Sequence, residues 1–109
     1  MTEELVTLET AKLLKEKGFL QRKYFINVST LHNCYKYLSV PPQSVVQGWL
    51  RETKDLHIEI SYMYENYWIY DILTIPNHDL VGLSDRPIIH YKSYEEALEA
   101  GIQEALKLI

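Results

Sequence analysis

The side chains best able to support acid–base or metal chemistry in this sequence are four histidines, one cysteine and scattered carboxylates. No histidine lies in an HExxH motif or has a second ligand four residues away, the spacing of a zinc site built on a helix. His57 and Glu59 share one face of a predicted strand, but a metal site needs three or four converging ligands. We therefore predict no metal site and no cofactor.

Catalysis is not indicated by the remaining candidates. Gly82 stands alone, so there is no glycine-rich phosphate loop, and the chain has no GxSxG turn. Cys34 has no sequence neighbour that would activate its thiol. Glu59 and Asp71 could meet across a hairpin as an acid–base pair, but no nucleophile or oxyanion donor accompanies them. We predict no catalytic residues and a protein that is not an enzyme.

The bulk composition is that of one globular domain over residues 1–109. The chain is 47% apolar and 24% charged, which is average for a folded protein. No apolar run approaches the roughly 20 residues that span a bilayer. The N-terminus lacks the basic and apolar regions of a secretory signal. One cysteine allows no intrachain disulfide, so we expect a cytoplasmic protein away from the membrane.

The net charge of −4 is unevenly distributed, which bears on nucleic-acid binding. Residues 1–50 carry six basic and four acidic side chains, whereas residues 51–109 carry five and eleven. An acidic chain has no general attraction for phosphate backbones. One alternative stays open, a small nucleic-acid-binding module that uses a basic patch and the polar face of a helix. The basic patch consists of Lys12, Lys15, Lys17, Arg22 and Lys23. The helix face, with side-chain types that can read base edges, consists of Gln43, Gln47, Arg51 and Lys54.

Three amphipathic segments predict helices. The first begins after the N-cap Thr7 and ends at Gly18, which suits the left-handed position that closes a helix. The second covers residues 43–54, after a proline pair. The third begins at a capping box formed by Ser93 and Glu96. Its apolar face carries small residues that would let its backbone approach a sheet closely, namely Ala97, Gly101 and Ala105.

The strand signals lie between and after these helices. They cover residues 24–28, 34–40, 58–64, 68–73 and 88–92. The resulting order is α–β–β–α–β–β–β–α. We therefore predict an α+β fold in two layers, with three helices on one face of a mostly antiparallel sheet of four or five strands.

The hairpin around Glu65 and Asn66 has a geometry that side-chain alternation can decide. A two-residue turn would place Asp71 beside Ile60 among apolar residues, whereas a three-residue loop at residues 65–67 reverses the faces of the second strand. Burying an unpaired carboxylate costs several kcal/mol, so we predict the three-residue loop. One face is then apolar and faces the helices. It consists of Ile58, Ile60, Tyr62, Tyr64, Trp68, Tyr70 and Ile72.

The reverse face of the hairpin is the first candidate for a functional surface. The chain has nine tyrosines, and they cannot all face one small core. A tyrosine ring is stable when half-buried with its hydroxyl in water, as is common at protein interfaces. We therefore predict a surface for a protein partner or for a homo-oligomer. Its residues are Glu59, Met63, Tyr67, Ile69 and Asp71.

Three segments of the chain resemble a family of small proteins from bacteriophages and mobile elements of gut anaerobes. The segments are LVTLETAKLLKEKGF, PPQSVVQGWLRETKDLHIEI and YKSYEEALEAGIQEALKLI. The resemblance covers both ends and the centre of the chain, but not residues 24–38 or 77–87. The family is uncharacterised, so the resemblance implies a setting, that of a phage-like accessory protein, and no catalytic or binding residues.

Overall fold

The three predicted helices are present. The computed structural model describes residues 4–19, 25–27, 37–81 and 89–109. Within these ranges, α1 spans Leu8–Glu16, α2 spans Gln43–Thr53 and α3 spans Tyr94–Leu108.

The ends of α1 follow the predicted capping chemistry. The Thr7 hydroxyl accepts a hydrogen bond from the Thr10 N–H at 3.2 Å. Gly18 has a φ of +93°, and the Phe19 N–H donates to the Leu14 carbonyl at 3.0 Å. A residue without a Cβ adopts this left-handed conformation at little cost, and the following N–H then satisfies a carbonyl at the helix end. Phe19 is thereby turned into the core.

Side chains or neighbouring backbone satisfy the first N–H groups of the other two helices. At α3, Ser93 Oγ accepts from the Glu96 N–H, and Glu96 Oε2 accepts from the Lys92 N–H, both at 3.1 Å. The capping box is therefore present, with its return bond one residue earlier than in the usual form. At α2, the Gln43 N–H donates to the Glu4 carbonyl at 2.8 Å.

The prediction of a single sheet of four or five strands is wrong. In the part of the chain that the structure describes, β1 (Phe25–Asn27) pairs antiparallel with β2 (Tyr37–Ser39), and β3 (Leu56–Met63) pairs antiparallel with β4 (Tyr67–Thr74). These are two separate two-stranded sheets. The fold is a small α+β arrangement of three helices around hairpins.

The predicted fifth strand at residues 88–92 is reduced to one bridge. Tyr91 pairs with Trp68 on the outer edge of β4, and its N–H and carbonyl both bond to the Trp68 backbone. Ser93 must already adopt the N-cap geometry of α3 only two residues later. The start of the helix therefore ends the pairing on that side, while Ile88 lies outside the described residues.

The register of the β3–β4 hairpin confirms the odd-length loop and the division of its faces. The pairs that fix it are Ile58–Ile72, Glu59–Asp71, Ile60–Tyr70, Ser61–Ile69, Tyr62–Trp68 and Met63–Tyr67. The loop is residues 64–66, one residue earlier than predicted. Glu65 and Asn66 take up positive φ angles of 78° and 66°. Tyr64, predicted for the apolar face, instead lies in the loop and is 90% exposed.

The apolar face of the hairpin, here called the front face, packs against α3 at a glycine. The front face carries Leu56, Ile58, Ile60, Tyr62, Trp68, Tyr70 and Ile72. A Cβ added to Gly101 would lie 2.7 Å from Ile58 Cγ2 and 3.2 Å from the Tyr70 ring. The predicted close approach of the helix backbone is therefore confirmed, and its site is Gly101.

We expect Gly101→Ala to destabilise the protein even though alanine favours a helix. The added methyl overlaps the buried Ile58 side chain, and overpacking of this kind costs about 1–3 kcal/mol. Replacing a helical glycine returns about 1 kcal/mol at most. Urea denaturation should therefore show a lower free energy of unfolding.

The matched control is Gly48→Ala in α2. A Cβ there would meet only an Arg51 guanidinium nitrogen at 3.5 Å, an ordinary contact. We expect this variant to gain about 0.5–1 kcal/mol. A Gly101→Ala protein as stable as Gly48→Ala would contradict the close packing of α3 on the hairpin.

Candidate binding surface on the hairpin

All five residues of the predicted protein-binding surface lie on one face of the hairpin. We call it the back face and define it by three cross-strand rows, which are Glu59–Asp71, Ser61–Ile69 and Met63–Tyr67. Because alternate residues of a strand point to the same side, the three rows are neighbours. The back face is therefore acidic at one end and apolar at the other.

The back face contributes nothing to the core formed by the described residues. The core takes its hairpin residues from the front face, namely Leu56, Ile58, Tyr70 and Ile72, together with residues of all three helices. Met63, Tyr67 and Ile69 are half-buried, and Glu59 is exposed. Apolar side chains that stay partly exposed outside a core are typical of a surface that can bury more area on binding.

An aromatic contact extends the apolar end of the back face beyond the hairpin. The Tyr67 ring stacks on the His90 imidazole with the ring centroids 3.7 Å apart and the planes 12° from parallel. His90 itself is exposed. No sequence pattern pointed to His90, since the contact depends on how residues 89–91 return beside β4.

A shallow cleft of about 270 Å³ lies at the opposite end of the hairpin. It is lined by the basic side chains Arg51, His57 and His78 and by Leu73, Thr74, Ile75 and Pro76. The His57 Nδ1 is buried and has no hydrogen-bond partner in the structure. The Thr74 hydroxyl accepts a hydrogen bond from the Asp79 N–H at 3.0 Å. The cleft brings basic groups together but supplies no arrangement from which a catalytic step can be derived.

The four residues of the alternative nucleic-acid surface are divided between the interior and the solvent. Gln43 is buried, and its amide donates to the Glu95 carbonyl at 2.9 Å and to Glu99 Oε1 at 3.0 Å. Gln47 donates to the Ile58 carbonyl at 2.7 Å. Of the four residues, Arg51 and Lys54 are exposed, whereas Gln47 is half-buried.

The basic patch is described only in part. Lys12 and Lys15 are exposed on α1. The Lys17 ammonium donates to the Ile109 main-chain oxygen at 2.7 Å. Arg22, Lys23 and the lone Cys34 lie outside the described residues.

A polar junction that sequence reasoning missed connects the three helices through Glu99. Its Oε2 accepts hydrogen bonds from the Thr7 N–H and hydroxyl, each at 3.1 Å, and from the Thr10 hydroxyl. Its Oε1 accepts from Gln43, and Gln103 donates to the Thr10 hydroxyl at 2.9 Å. Each of these donors is neutral, so in the described part of the chain the carboxylate is held by uncharged hydrogen-bond donors. The junction has a structural role, because its donors are engaged in hydrogen bonds within the protein.

The structure and the comparisons with known proteins identify no resident metal or relative. Within the described ranges, no three histidine, cysteine, aspartate or glutamate side chains come close enough to hold a metal ion. No helix there is long and apolar enough to cross a membrane. The chain matches no protein-family model, no curated protein and no solved structure. The function must therefore be argued from the surfaces of the chain itself.

We expect Glu99→Ala to lower the free energy of unfolding by about 2–4 kcal/mol. The substitution leaves the buried Thr10 hydroxyl and one N–H of the Gln43 amide without the Glu99 acceptor, and each such loss costs about 1–3 kcal/mol. Chemical denaturation followed by circular dichroism measures the change. The control is Glu104→Ala on the same helix, where a change within about 0.5 kcal/mol is expected. Equal losses in the two variants would show that the junction contributes nothing beyond helix propensity.

Proposed function

We propose that this protein is a non-enzymatic, phage-like accessory protein of the cytoplasm that acts by binding another protein through the back face of its hairpin. The observation that carries the proposal is the row structure of that face. The apolar Met63–Tyr67 row and the mixed Ser61–Ile69 row stand beside the acidic Glu59–Asp71 row, and the core of the described residues uses none of the three.

The chemistry of the partner follows from the two ends of the back face. Met63 and Tyr67 lie directly opposite each other, with Ile69 in the next row. Together they form an apolar platform, in which methionine adapts its shape to a partner and tyrosine adds a large rigid ring. Glu59 is exposed beside Asp71 at the other end. A partner segment with one or two apolar side chains followed by a lysine or arginine fits this surface.

The position of the surface on a hairpin also supports a binding role. The front face is fixed against α3 at Gly101, so the back-face side chains project from a held backbone. A pre-organised surface loses less conformational entropy on binding than a mobile one does. The acidic row, in turn, disfavours nucleic acid as the ligand of this face.

We expect the double variant Tyr67→Lys/Ile69→Lys to lose the binding activity of the back face. Random peptides displayed on a library and selected on the immobilised protein should combine apolar residues with a lysine or arginine. Their affinity for the double variant should fall about tenfold or more, because two apolar contacts are removed and basic charges are added. Fluorescence polarisation with a selected peptide measures the loss.

The control places the same two substitutions on a different surface. Leu8 and Leu108 are 51% and 46% exposed on α1 and α3. Leu8→Lys/Leu108→Lys adds the same charge to the protein away from the hairpin. Selected peptides that bind the Tyr67→Lys/Ile69→Lys variant as well as they bind this control would overturn the proposal.

A further inference from the structure

The two edges of the hairpin differ in how their backbone groups are satisfied. On the outer edge of β4, the N–H and carbonyl of Trp68 bond to Tyr91 at 2.9 and 3.0 Å, and the Ile72 carbonyl accepts from the Val81 N–H at 2.9 Å. In an antiparallel pair, residues whose groups point outward lie opposite partners whose groups also point outward. The outward groups of β3 therefore belong to the residues that face Trp68, Tyr70 and Ile72.

Of the three β3 residues with outward backbone groups, only Ile58 has a hydrogen bond on this edge among the described residues. The Ile58 carbonyl accepts the Gln47 amide at 2.7 Å. Further along, the outward groups belong to Ile60 and Tyr62, on either side of Ser61. Among the residues that the structure describes, none forms a hydrogen bond to the main chain of Ile60 or Tyr62 across this edge. Two N–H groups and two carbonyls in one short stretch therefore have no hydrogen-bond partner among the described residues.

We propose that this stretch pairs with the same stretch of a second copy of the chain. The two β3 strands run antiparallel about a two-fold axis at Ser61. Ile60 of each protomer then exchanges two hydrogen bonds with Tyr62 of the other, so all four free groups on each chain are used. The hairpins join into one four-stranded antiparallel sheet.

The neighbouring contacts select this register over the adjacent ones. Moving the axis to Ile60 requires the Ile58 carbonyl, whose edge position the Gln47 side chain already occupies. Moving it to Tyr62 places Tyr64 opposite Ile60, and Tyr64 lies in the loop rather than in the strand. The register about Ser61 is the one that uses the free groups and no others.

The side chains on this edge are complementary to themselves. Tyr62 is 58% exposed, although its ring packs at a tilt against Trp68 with the ring centroids 4.8 Å apart. In the paired sheet, each Tyr62 lies opposite the other protomer's Ile60, an aromatic and β-branched pair that stabilises antiparallel strands. The small Ser61 side chain lies at the axis, where the two backbones come closest. Glu59 faces Met63 across the interface, so the two glutamates are kept apart.

This dimer is independent of partner binding but would extend the surface proposed above. Joining the β3 edges brings the two back faces into one plane. The Ser61–Ile69 rows of the two protomers would then meet at the axis, and the Met63–Tyr67 row of each protomer would continue into the Glu59–Asp71 row of the other. A partner with two copies of a binding segment could occupy both halves.

A cysteine placed at the two-fold axis tests the register directly. In a Cys34→Ser background, Ser61→Cys supplies the only thiol of the chain. Directly opposite residues at a non-hydrogen-bonded position have Cα atoms about 4.5 Å apart, within the range of a disulfide. Mild oxidation should convert most of the protein to a covalent dimer. The control, Glu59→Cys, lies on the same face of the same strand, with its symmetry mate about 13 Å away, and should not cross-link.

Light scattering on the unmodified chain tests the same contact without a cross-link. We expect twice the 12.9 kDa chain mass for the natural sequence, the single-chain mass for Tyr62→Glu, and a retained dimer for Tyr67→Lys/Ile69→Lys. Circular dichroism checks that Tyr62→Glu is folded. A monomeric natural chain, no cross-link at Ser61→Cys, or equal cross-linking at Glu59→Cys would overturn the inference. A dimer that is lost only in Tyr67→Lys/Ile69→Lys would also overturn it, while leaving the back face as a binding surface.

Discussion

The approach of α3 to the hairpin at Gly101 determines which surfaces of this protein remain accessible. A two-stranded hairpin is marginal by itself in water and needs a layer packed on one face. Here that layer is a helix whose backbone comes so close that a single methyl group would lie 2.7 Å from Ile58. The contact uses the front face, and Tyr70 and Ile72 are buried as a result. Among the described residues, this packing does not cover the back face or the outer edge of β3.

The Glu99 junction complements this contact on the other side of α3. The carboxylate draws neutral donors from the start of α1 and from α2, so one side chain fixes the relative positions of three helices. Hydrogen bonds to a charged acceptor are roughly twice as strong as those between neutral groups. The apolar stripe of α3 lies in the core, while Glu99 restricts how the other two helices can pack against α3. Gln43 is used here as a structural donor, which removes it from the polar face that its helix position had predicted.

Local patterns predicted the parts of the fold whose causes are local. Thr7, Gly18 and Ser93 act within one turn of their own helices, and alternation in β3 and β4 decides which side chains share a face. For that reason the five back-face residues can be grouped from side-chain alternation alone. The loop position shifted by one residue because Glu65 and Asn66 both accept positive φ, and the sequence does not distinguish their order in the turn. The sheet was mispredicted because strand signals do not say which strands pair, and the start of α3 at Ser93 ends the pairing after Tyr91. The roles of Glu99 and His90 arise from contacts between distant parts of the chain. The periodicity of a sequence does not predict such contacts.

The two edges of the hairpin differ in how well their backbone groups are covered, and this difference links the fold to the proposed dimer. Proteins usually protect an edge strand with charges, prolines, bulges or covering segments, because free backbone groups pair readily with other strands. On the β4 edge, Trp68, Ile72 and Thr74 bond to the main chain of Tyr91, Val81 and Asp79, respectively. The β3 edge has the Gln47 amide at one position and then Ile60 and Tyr62, which carry neither charge nor proline. The side chain between them is Ser61, which is small enough to leave the backbone open to a neighbouring strand. Protection that stops where a self-complementary stretch begins supports the proposed pairing site, and in the proposed dimer the two back faces would form one wider surface.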